Sequence, residues 1–587
     1  MNVLMKTKTR FGKLINRVAW TSLMVASLLC HNVVVAEQSK PSPIHLNQLG
    51  FLPESSKIAI VPDTPSGEFW LMAADSRVEV LRGPLSQTRD WDMAGTRVKI
   101  ADFSAFNKPG RYYIKVSGVG ETAPFEITVG AYDNLLKGAM KAFYYNRASA
   151  PIEKEYAGEY ARAAGHPDTL IYVHPSAQSK QRPMGTILSS PKGWYDAGDY
   201  NKYVVNSGIT MYTLLNALQD FEPLFRGITW NIPESENALP DLLDEILWNL
   251  DWLFTMQDPN DGGVYHKLTT LRFSGEGMPN QQLAKRFVVQ KSTAATLDYA
   301  AVFAQASRIL KAYEKSFPGR AQQYRAAAEA AWGWAQKNPK VLYTQPKEIN
   351  TGMYSMANED LQDEWFWAGA ELFALTGKKT YLKNLAIPGK PRVPEWSYVE
   401  TLGIMTLAQL SQTPKKIKHE AISALKSMAD DMVNEYWKSG YLVPMTKTDF
   451  RWGSNAVALN KAIVLLTADR IAPRPEYAPA ARSLFDYVLG RNPTGYSYVT
   501  GFGSYSTRNP HHRPSQYDGV KAPIPGFLAG GPQPGWQDDC KYSSRLPAKS
   551  YLDDWCSFST NEVAINWNAP LVYVTAALRE AEKSQAH

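Results

Sequence analysis

The spacing of apolar residues changes once along this 587-residue chain, near Gly130, and that change divides the chain into two parts. From about residue 44 to 129, short apolar stretches alternate with Gly- and Pro-containing turns, which is typical of a small β-sandwich. After Gly130 the apolar residues recur at helical spacing. Because a chain this long exceeds one ordinary core, we predict two domains. The predicted strands lie at 58–61, 69–72, 97–100, 112–116 and 125–129.

Eleven helices are predicted in the second part, and an even number of twelve is compatible with this pattern. Long loops rich in Gly, Pro and aromatic residues join them, and the longest runs from 491 to 561. Such loops in a compact domain are commonly functional. We therefore predict helical hairpins closed into a ring, with a cleft formed by loops at one end. The helices are predicted at 134–145, 205–220, 240–256, 293–314, 321–337, 361–376, 397–410, 418–436, 456–468, 478–489 and 564–583.

Residues 1–36 have the features of an export signal. Basic residues precede an apolar stretch at 19–29, and Val34-Val35-Ala36 provides a cleavage site. We predict that the signal peptide is removed and that the protein is secreted or periplasmic. Lipid attachment at Cys30 is an alternative that the bulky Leu29 disfavours. An uncleaved anchor is a second alternative, in a segment that is short for a membrane span.

The net charge argues against a nucleic-acid partner. The chain has 63 basic and 56 acidic residues, a net charge of +7. The signal segment holds five of the basic residues and no acidic ones, which leaves 58 basic and 56 acidic residues, a net charge of +2. The basicity therefore belongs to the signal. We expect a monomer with no nucleic-acid partner and, once the signal is removed, no membrane partner.

Two cysteines follow the signal segment, Cys540 and Cys556. In an exported chain we expect them to form one disulfide. The loop is short, and the chain-entropy model gives a stabilisation of roughly 3 kcal/mol. Two free buried thiols are the alternative.

The segment 193–203 places Asp196 and Asp199 three residues apart, beside Trp194 and Tyr195. Two carboxylates this close do not both ionise readily unless other groups hold them. Aromatic rings beside carboxylates suit a sugar-binding cleft, in which the rings stack on the substrate and the acids transfer protons. An Asp-rich turn that caps the following helix is the alternative.

A second segment rich in acids and aromatic residues lies at 551–569 and contains Glu562. Glu562 is predicted at the start of a helix, where the helix dipole would favour its anion. A general acid needs the opposite, which is burial among apolar groups such as Trp555, Phe558 and Trp567. A third segment, 508–513, is a proline-bounded loop with adjacent basic and imidazole side chains that can hydrogen-bond hydroxyl groups. Such clusters are also common on protein surfaces.

Together these three segments resemble glycoside hydrolase family 9, the inverting family of cellulases and related β-glycanases. The family's Asp-Ala-Gly-Asp motif stands at 196–199, and its His-x-Arg signature at 511–513. The segment 47–53, Asn-Gln-Leu-Gly-Phe-Leu-Pro, resembles the start of the immunoglobulin-like domain that precedes the catalytic domain in one branch. The C-terminal signature is met by Tyr551, Asp553, Phe558, Glu562, Ala564, Asn568 and Ala569.

The resemblance covers nearly the whole mature chain. It implies an immunoglobulin-like β-sandwich at 44–130, followed by an all-α catalytic domain, an (α/α)6 barrel, at 134–584. It assigns Asp199 as the general base, Asp196 as its helper and Glu562 as the general acid. Inversion requires base and acid to stand roughly 6.5–9.5 Å apart. Further roles follow for His511 and Asp553 near the reaction centre and for Arg513, Trp452, His266, Tyr195 and Trp194 in substrate binding.

The resemblance also bears on metals. Members with this N-terminal domain often hold zinc through cysteines upstream of the Asp pair, but residues 164–176 contain none. We therefore expect no zinc, and predict structural roles for His166 and His174. Asp363 and Glu364, with Asp360 nearby, match an acidic pair that binds structural calcium in the family. Oxygen ligands suit Ca²⁺, but acids at a helix start are also favourable without a metal.

We thus predict an exported, inverting β-1,4-glucanase, an endoglucanase or cellodextrinase that acts on cellulose-type chains or cello-oligosaccharides without a cofactor. One alternative is an exo-β-glucosaminidase on chitosan oligosaccharides, since the same branch contains such enzymes. Another is a non-catalytic carbohydrate-binding protein, which the presence of all three carboxylates argues against.

Overall fold

The computed structural model describes residues 41–356, 361–383 and 385–585. The predicted signal peptide at 1–36 lies outside these residues. The described chain forms strands up to Ile127 and mainly helices from Asp133 onward. None of the helices in these ranges is both long and apolar enough to cross a membrane.

Two sheets form the N-terminal domain. Its strands are β1 Ile58–Pro62, β2 Glu68–Ala73, β3 Glu79–Pro84, β4 Arg89–Trp91, β5 Thr96–Asp102, β6 Gly110–Val116, β7 Gly120–Glu121 and β8 Phe125–Ile127. The sheets have the orders β1-β5-β4 and β3-β2-β6-β7, with β8 also paired to β6, and all pairs are antiparallel. Phe51 packs edge-on against Phe103 and Phe125 in their core. All five predicted strands are present. The pattern does not reveal β3, which is largely exposed, or the very short β4 and β7.

The helical part contains eleven helices of ten residues or more within the described ranges, at the predicted positions to within a few residues. The helices are α1 Asp133–Tyr145, α2 Lys154–Ala157, α3 Val204–Asp220, α4 Glu222–Arg226, α5 Asp241–Thr255, α6 Thr293–Leu310, α7 Arg320–Lys337, α8 Gln362–Thr376, α9 Glu400–Gln409, α10 Lys415–Lys438, α11 Ser454–Ile471, α12 Tyr477–Val488, α13 Arg513–Tyr517, α14 Phe558–Asn561 and α15 Ile565–Gln585.

Six of these helices contact one another in a closed order: α3, α6, α8, α9, α11, α15 and back to α3. Helices of the ring such as α6 are buried on almost every side, which is typical of helices in the centre of a large domain. The other five long helices each pack on a member of the ring: α1 on α15, α5 on α3, α7 on α6, α10 on α9 and α12 on α11. Helix α10 buries one face only, through Ala421, Leu425, Met428 and Met432 at helical spacing.

A five-stranded sheet within the helical part is absent from the sequence prediction. Its order is β10-β9-β13-β12-β11, with β9 Ile171–Val173, β10 Ile187–Leu188, β11 Lys202–Tyr203, β12 Lys267–Thr269 and β13 Phe287–Val288. Strands of two or three residues are too short to show an alternating pattern. β11 and β12 are antiparallel, with Tyr203 opposite Lys267. The sheet therefore brings Lys267 close to the Asp196–Asp199 motif.

The N-terminal domain contacts the helical part through Asn47 and Gln48. The Asn47 amide donates a hydrogen bond of 2.8 Å to Asp486 Oδ1, and both side chains are buried. Gln48 Nε2 donates to the Gly495 carbonyl at 2.7 Å, and its Oε1 accepts from the Tyr505 backbone at 2.8 Å. Burial raises the pKa of Asp486, whereas Arg491 and Asn47 act in the opposite direction. The bond from Asn47 therefore stabilises the carboxylate of Asp486, which burial removes from solvent.

Asn47→Ala is expected to lower the free energy of unfolding by about 1–3 kcal/mol, because Asp486 stays buried and loses a donor. Urea unfolding followed by tryptophan fluorescence measures the change. Asn107→Ala is the matched control, since the Asn107 amide donates to Glu54 at an exposed site and should contribute little. Equal effects of the two substitutions would contradict a special role for the domain contact.

Candidate active site

A cleft of about 610 Å³ opens in the helical domain. The carboxylates of Asp196, Asp199 and Glu562 lie in its wall together with His511 and Arg513. The remainder of the wall is largely apolar and aromatic, and includes Phe273, Met353, Tyr354, Trp396, Trp452, Phe558 and Trp567. Glu562 therefore meets Asp196 and Asp199 in one cavity, although more than 360 residues separate it from them in the sequence.

Backbone contacts join the two halves of the site. Glu562 lies in an extended link between α14 and α15, with φ −66° and ψ 159°, and not in a first helical turn as predicted. The Ile565 backbone N–H donates to the Asp196 carbonyl at 2.9 Å, and His511 forms a parallel bridge with Glu562. A Cβ atom at Gly198 would lie 2.2 Å from the His511 carbonyl oxygen. The glycine of the Asp-Ala-Gly-Asp motif thus permits this close approach.

Asp199 is held by donors on one oxygen. Its Oδ2 accepts from Asn201 Nδ2 at 2.6 Å and from the Tyr203 hydroxyl at 3.0 Å. Burial raises the pKa of Asp199, while Arg513 and the bonds from Asn201 and Tyr203 lower it. These contacts favour the carboxylate, which is the form that a base requires.

Asp196 has different partners. Its Oδ1 accepts from Asn206 Nδ2 at 2.7 Å and its Oδ2 from the Tyr354 hydroxyl at 2.7 Å. Burial and the neighbouring Asp199 raise the pKa of Asp196 to about 8, although the bonds from Asn206 and Tyr354 oppose this shift. Burial leaves the pKa of Asp199 above its ordinary value, but of the two aspartates Asp199 is the one that ionises more readily.

Glu562 has the properties of a proton donor. Burial, and then the charges of Asp199 and Asp196, raise its pKa to about 8, while the Gly198 N–H and Arg513 act in the opposite direction. Phe558 and Trp567 line the cleft with it, as the sequence suggests. Trp555 instead stacks on the His511 ring at 4.3 Å. A carboxyl group with this pKa stays protonated near neutral pH.

His511, Arg513 and Asp553 organise the loop beside these acids. His511 Nδ1 bonds to the Trp555 carbonyl at 2.8 Å. Arg513 lines the cleft and donates to the Gly198 carbonyl at 2.7 Å. Asp553 accepts from the backbone of Arg508 at 2.9 Å and of Asn509 at 2.8 Å. Asp553 thus orients the loop from the side, whereas Arg513 reaches the cleft.

The predicted aromatic and imidazole subsite residues divide into two groups. Trp452 lines the cleft, is 38% exposed and packs on Phe558. Trp194, Tyr195 and His266 are buried and bond to protein groups. Trp194 donates to Glu245 at 2.6 Å, and the Tyr195 hydroxyl lies 2.9 Å from His166 Nδ1.

His266 is likewise occupied on both ring nitrogens, by Ser292 at 2.8 Å and by the Met353 carbonyl at 2.8 Å. Its ring also stacks on Tyr343, 4.0 Å away. The structure therefore corrects the expectation that Trp194, Tyr195 and His266 contact substrate, because burial and satisfied hydrogen bonds leave them no free face.

Cys540 and Cys556 form a disulfide. Cys556 directly follows Trp555, whose ring stacks on His511. The disulfide therefore joins the chain at Cys540 to the segment that supports His511.

The described residues contain no group of three or more His, Cys, Asp or Glu side chains arranged to hold a metal ion. His166 bonds to Tyr195, and His174 bonds to Ser176 and lies 3.0 Å from Glu348. Asp360 lies outside the described residues.

Two acids of the predicted calcium site, Asp363 and Glu364, lie within the described residues, and Asp298 interacts with both. Asp363 accepts from the Val399 backbone at 3.2 Å. Both oxygens of Glu364 and both oxygens of Asp298 are buried without a hydrogen-bond donor, and burial raises the pKa of each. Such oxygens fit a hard cation. The calcium site stays a prediction.

Comparison with known proteins identifies the family of this chain. The sequence model described as glycosyl hydrolase family 9 matches residues 132–575. The chain belongs to glycosyl hydrolase family 9. A model described as the cellulase N-terminal ig-like domain matches residues 39–121. The predicted family and the predicted enzyme class, a glycoside hydrolase, are thus confirmed.

Several family 9 relatives are similar over most of the chain. A xyloglucan-specific endo-β-1,4-glucanase of Bacteroides ovatus is 43% identical over 552 residues, which is 91% of this chain and 93% of the relative. A cellodextrinase of Butyrivibrio fibrisolvens is 32% identical and covers 91% of this chain and 99% of its own length. A solved structure of a Bacteroides ovatus family 9 protein superposes with a TM-score of 0.87 at 41% identity, covering 92% of this chain and 99% of that one. A β-sheet domain followed by a helical domain is therefore confirmed.

Sequence reasoning gave no role to several residues at the site. Tyr354, Met353 and Trp396 come from loops with no motif, and no sequence signal marks them. Tyr203 stands four residues after Asp199, and its spacing from the motif is the signal that could have assigned it to the base.

Proposed function

We propose that this family 9 glycoside hydrolase is an inverting β-1,4-glucanase with Asp199 as general base and Glu562 as general acid. The observation that carries the proposal is the contrast between two carboxyl groups in one cleft. The donors of Asp199 favour its anion against the effect of burial, whereas burial and the two aspartates raise the pKa of Glu562 to about 8. Pairs of acids whose surroundings separate their pKa values are the usual arrangement for acid–base catalysis.

In the proposed reaction, Asp199 accepts a proton from a water molecule while that water attacks the anomeric carbon. Glu562 gives its proton to the glycosidic oxygen as the bond from that oxygen to the anomeric carbon breaks. Asp196 helps to hold the attacking water. The hydroxyl group enters from the face opposite the leaving group, so the configuration at the anomeric carbon inverts.

The cleft favours a neutral sugar chain. Glu395 is a further acid in its wall, but Arg451 neutralises it through bonds of 3.0 and 2.8 Å. Glu395 therefore offers no unpaired charge to the ammonium group of an amino sugar. This ion pair favours a glucan over chitosan oligosaccharides, and the relatives described above are likewise named as enzymes that act on glucans. We infer a β-1,4-glucan substrate, either unbranched, as for the cellodextrinase, or xylosyl-branched, as for the xyloglucan-specific relative.

We also infer the finer architecture. Six helices form a closed ring, and a further long helix packs on five of the six. This arrangement supports an (α/α)6 barrel at 134–584. The match to the ig-like domain supports an immunoglobulin-like sandwich at 44–130. Export after removal of residues 1–36 and a monomeric state belong to the same proposal.

Proton NMR of the first products is expected to show the α-anomer, because inversion of a β-linkage gives that configuration. Cellotetraose, a xyloglucan oligosaccharide and a chitosan tetramer are compared at early times, before mutarotation mixes the anomers. We expect hydrolysis of at least one of the two glucans and none of the chitosan tetramer. A β-anomer as first product would contradict the inverting mechanism, and cleavage of the chitosan tetramer alone would contradict the substrate class.

A further inference from the structure

Lys267, on β12, is a buried cation that the proposed reaction does not use. Its side chain is 0% exposed. Its Nζ donates to Gln345 Oε1 at 3.0 Å, to Thr351 Oγ1 at 3.0 Å and to the Gly352 carbonyl at 2.6 Å. All three acceptors are neutral, and in the described part of the chain no carboxylate forms an ion pair with it. Burying an ammonium without a counter-ion is costly, so its position calls for an explanation.

The acceptors of Lys267 lead to Asp199. Gly352, whose carbonyl Lys267 holds, donates its own N–H to the Tyr203 hydroxyl at 3.1 Å. The Tyr203 hydroxyl then donates to Asp199 Oδ2 at 3.0 Å. The fit is tight, since a Cβ atom at Gly352 would lie 3.1 Å from the Tyr203 hydroxyl. A shift of this backbone would therefore move the donor of the base.

The same short stretch of chain, the 351–354 segment, also reaches Asp196. The Tyr354 hydroxyl donates to Asp196 Oδ2 at 2.7 Å. Between these contacts, the Met353 carbonyl bonds to His266 Nε2 at 2.8 Å. The neighbours His266 and Lys267 thus hold two successive carbonyls of this segment. The segment donates to Asp196 directly, through Tyr354, and to Asp199 indirectly, through the bond from Gly352 to Tyr203.

We propose that Lys267 is a positioning residue for the general base. It fixes the 351–354 segment so that Tyr203 stays bonded to Asp199, and it places a positive charge within electrostatic reach of that carboxylate. The proposal rests on the assignment of Asp199 as the base. Lys267 contacts neither the cleft nor the reacting atoms, so it acts through Gly352 and Tyr203.

Four titratable groups face Lys267. Asp199 interacts with its charge. The rings of Tyr203 and Tyr343 lie 5.6 and 5.5 Å from Nζ, and His266, the residue before β12, also interacts with the charge of Lys267. Burial lowers the pKa of Lys267 to about 7, while Asp199 raises it. The lysine therefore carries its charge on the acidic side of neutrality, where the base must stay ionised. Removing this charge raises the pKa of Asp199.

Lys267→Met keeps the apolar stem and removes all three donors. We expect kcat on cellotetraose to fall about 10²-fold, the loss that a misplaced catalytic group causes, with KM nearly unchanged. The acid limb of the kcat profile should move to higher pH, because Asp199 then protonates more readily. Lys57→Met is the matched control. Lys57 is also 0% exposed and donates to backbone carbonyls, those of Pro53 and Ser55, but it lies in the N-terminal domain. This control should keep kcat and the acid limb of the wild type.

The outcomes separate the two proposals. If Lys267→Met does not fold, Lys267→Arg is measured instead. Arginine keeps the charge and changes the donor geometry, so kcat should fall while the acid limb stays near that of the wild type. An unchanged kcat in a folded variant overturns the role of Lys267, as does a fall in kcat that Lys57→Met reproduces. Asp199→Ala is assayed in the same series, and activity in that variant would overturn the assignment of the base instead.

Discussion

Asp199→Ala is expected to lower kcat on cello-oligosaccharides by about 10³- to 10⁴-fold, the upper range for loss of a general base. The attacking water would keep its proton, because Asp196 is the more weakly acidic of the two aspartates, with a pKa of about 8. Global stability should not fall, since the substitution removes one of three crowded acids whose mutual repulsion and burial disfavour ionisation. Steady-state kinetics and thermal unfolding check both expectations.

Azide gives the sharper test of Asp199→Ala. A small anion needs no base and can occupy the space that the carboxylate leaves. We expect azide to restore turnover and to give a glycosyl azide of the α-configuration, detectable by NMR. Asp449→Asn is the matched control, because Asp449 is buried, paired with Lys461 at 2.6 Å and not part of the cleft wall. It should lose stability without any response to azide. Activity of Asp199→Ala near that of the wild type would remove Asp199 from the mechanism.

The acids of the site could be predicted from the sequence because each belongs to a motif with fixed spacing. Asp196 and Asp199 share one turn, and Glu562 belongs to a longer signature. The residue types and their order along the chain were therefore sufficient to select these three acids. The orientation of the neighbouring rings was not predictable. Trp194 and Tyr195 adjoin Asp196, yet both turn into the core, where Trp194 meets Glu245 and Tyr195 meets His166. Adjacency in sequence says nothing about which side of an irregular turn a side chain takes.

The partners of the acids were predictable only when they were local. Asn201 and Tyr203 lie within four residues of Asp199 and bond to it. Tyr354 bonds to Asp196 from 158 residues away, in a loop without a motif. Lys267 depends on the pairing of β11 with β12, strands too short to leave a periodic pattern. The long helices, in contrast, carry enough turns for their apolar spacing to be evident. Tertiary contacts between short elements are thus the part of this site that the sequence leaves undetermined.

Glu562→Gln is expected to separate bond cleavage from proton donation. On cello-oligosaccharides kcat should fall about 10³- to 10⁴-fold, because the leaving sugar oxygen must be protonated. On 2,4-dinitrophenyl β-cellobioside the activity should stay close to that of the wild type, since a dinitrophenolate leaves without a proton. Glu245→Gln is the matched control. Glu245 is buried and bonds to Arg147 and Trp194, so its loss should destabilise the protein and leave the ratio of the two activities unchanged.

The pH dependence provides an independent check on Glu562. Wild-type kcat should fall as pH rises through about 8, because the acid then loses its proton. Glu562→Gln has no such proton, so its activity on the dinitrophenyl substrate should lack this basic limb and keep the acid limb set by Asp199. The free energy of unfolding should also fall as pH rises. A folded-state pKa above the ordinary value of glutamic acid means that the stability of the wild type declines as pH rises toward 8. The variant, which cannot ionise, should not show this part of the decline. A basic limb that persists unchanged in Glu562→Gln would assign the proton donor to another residue.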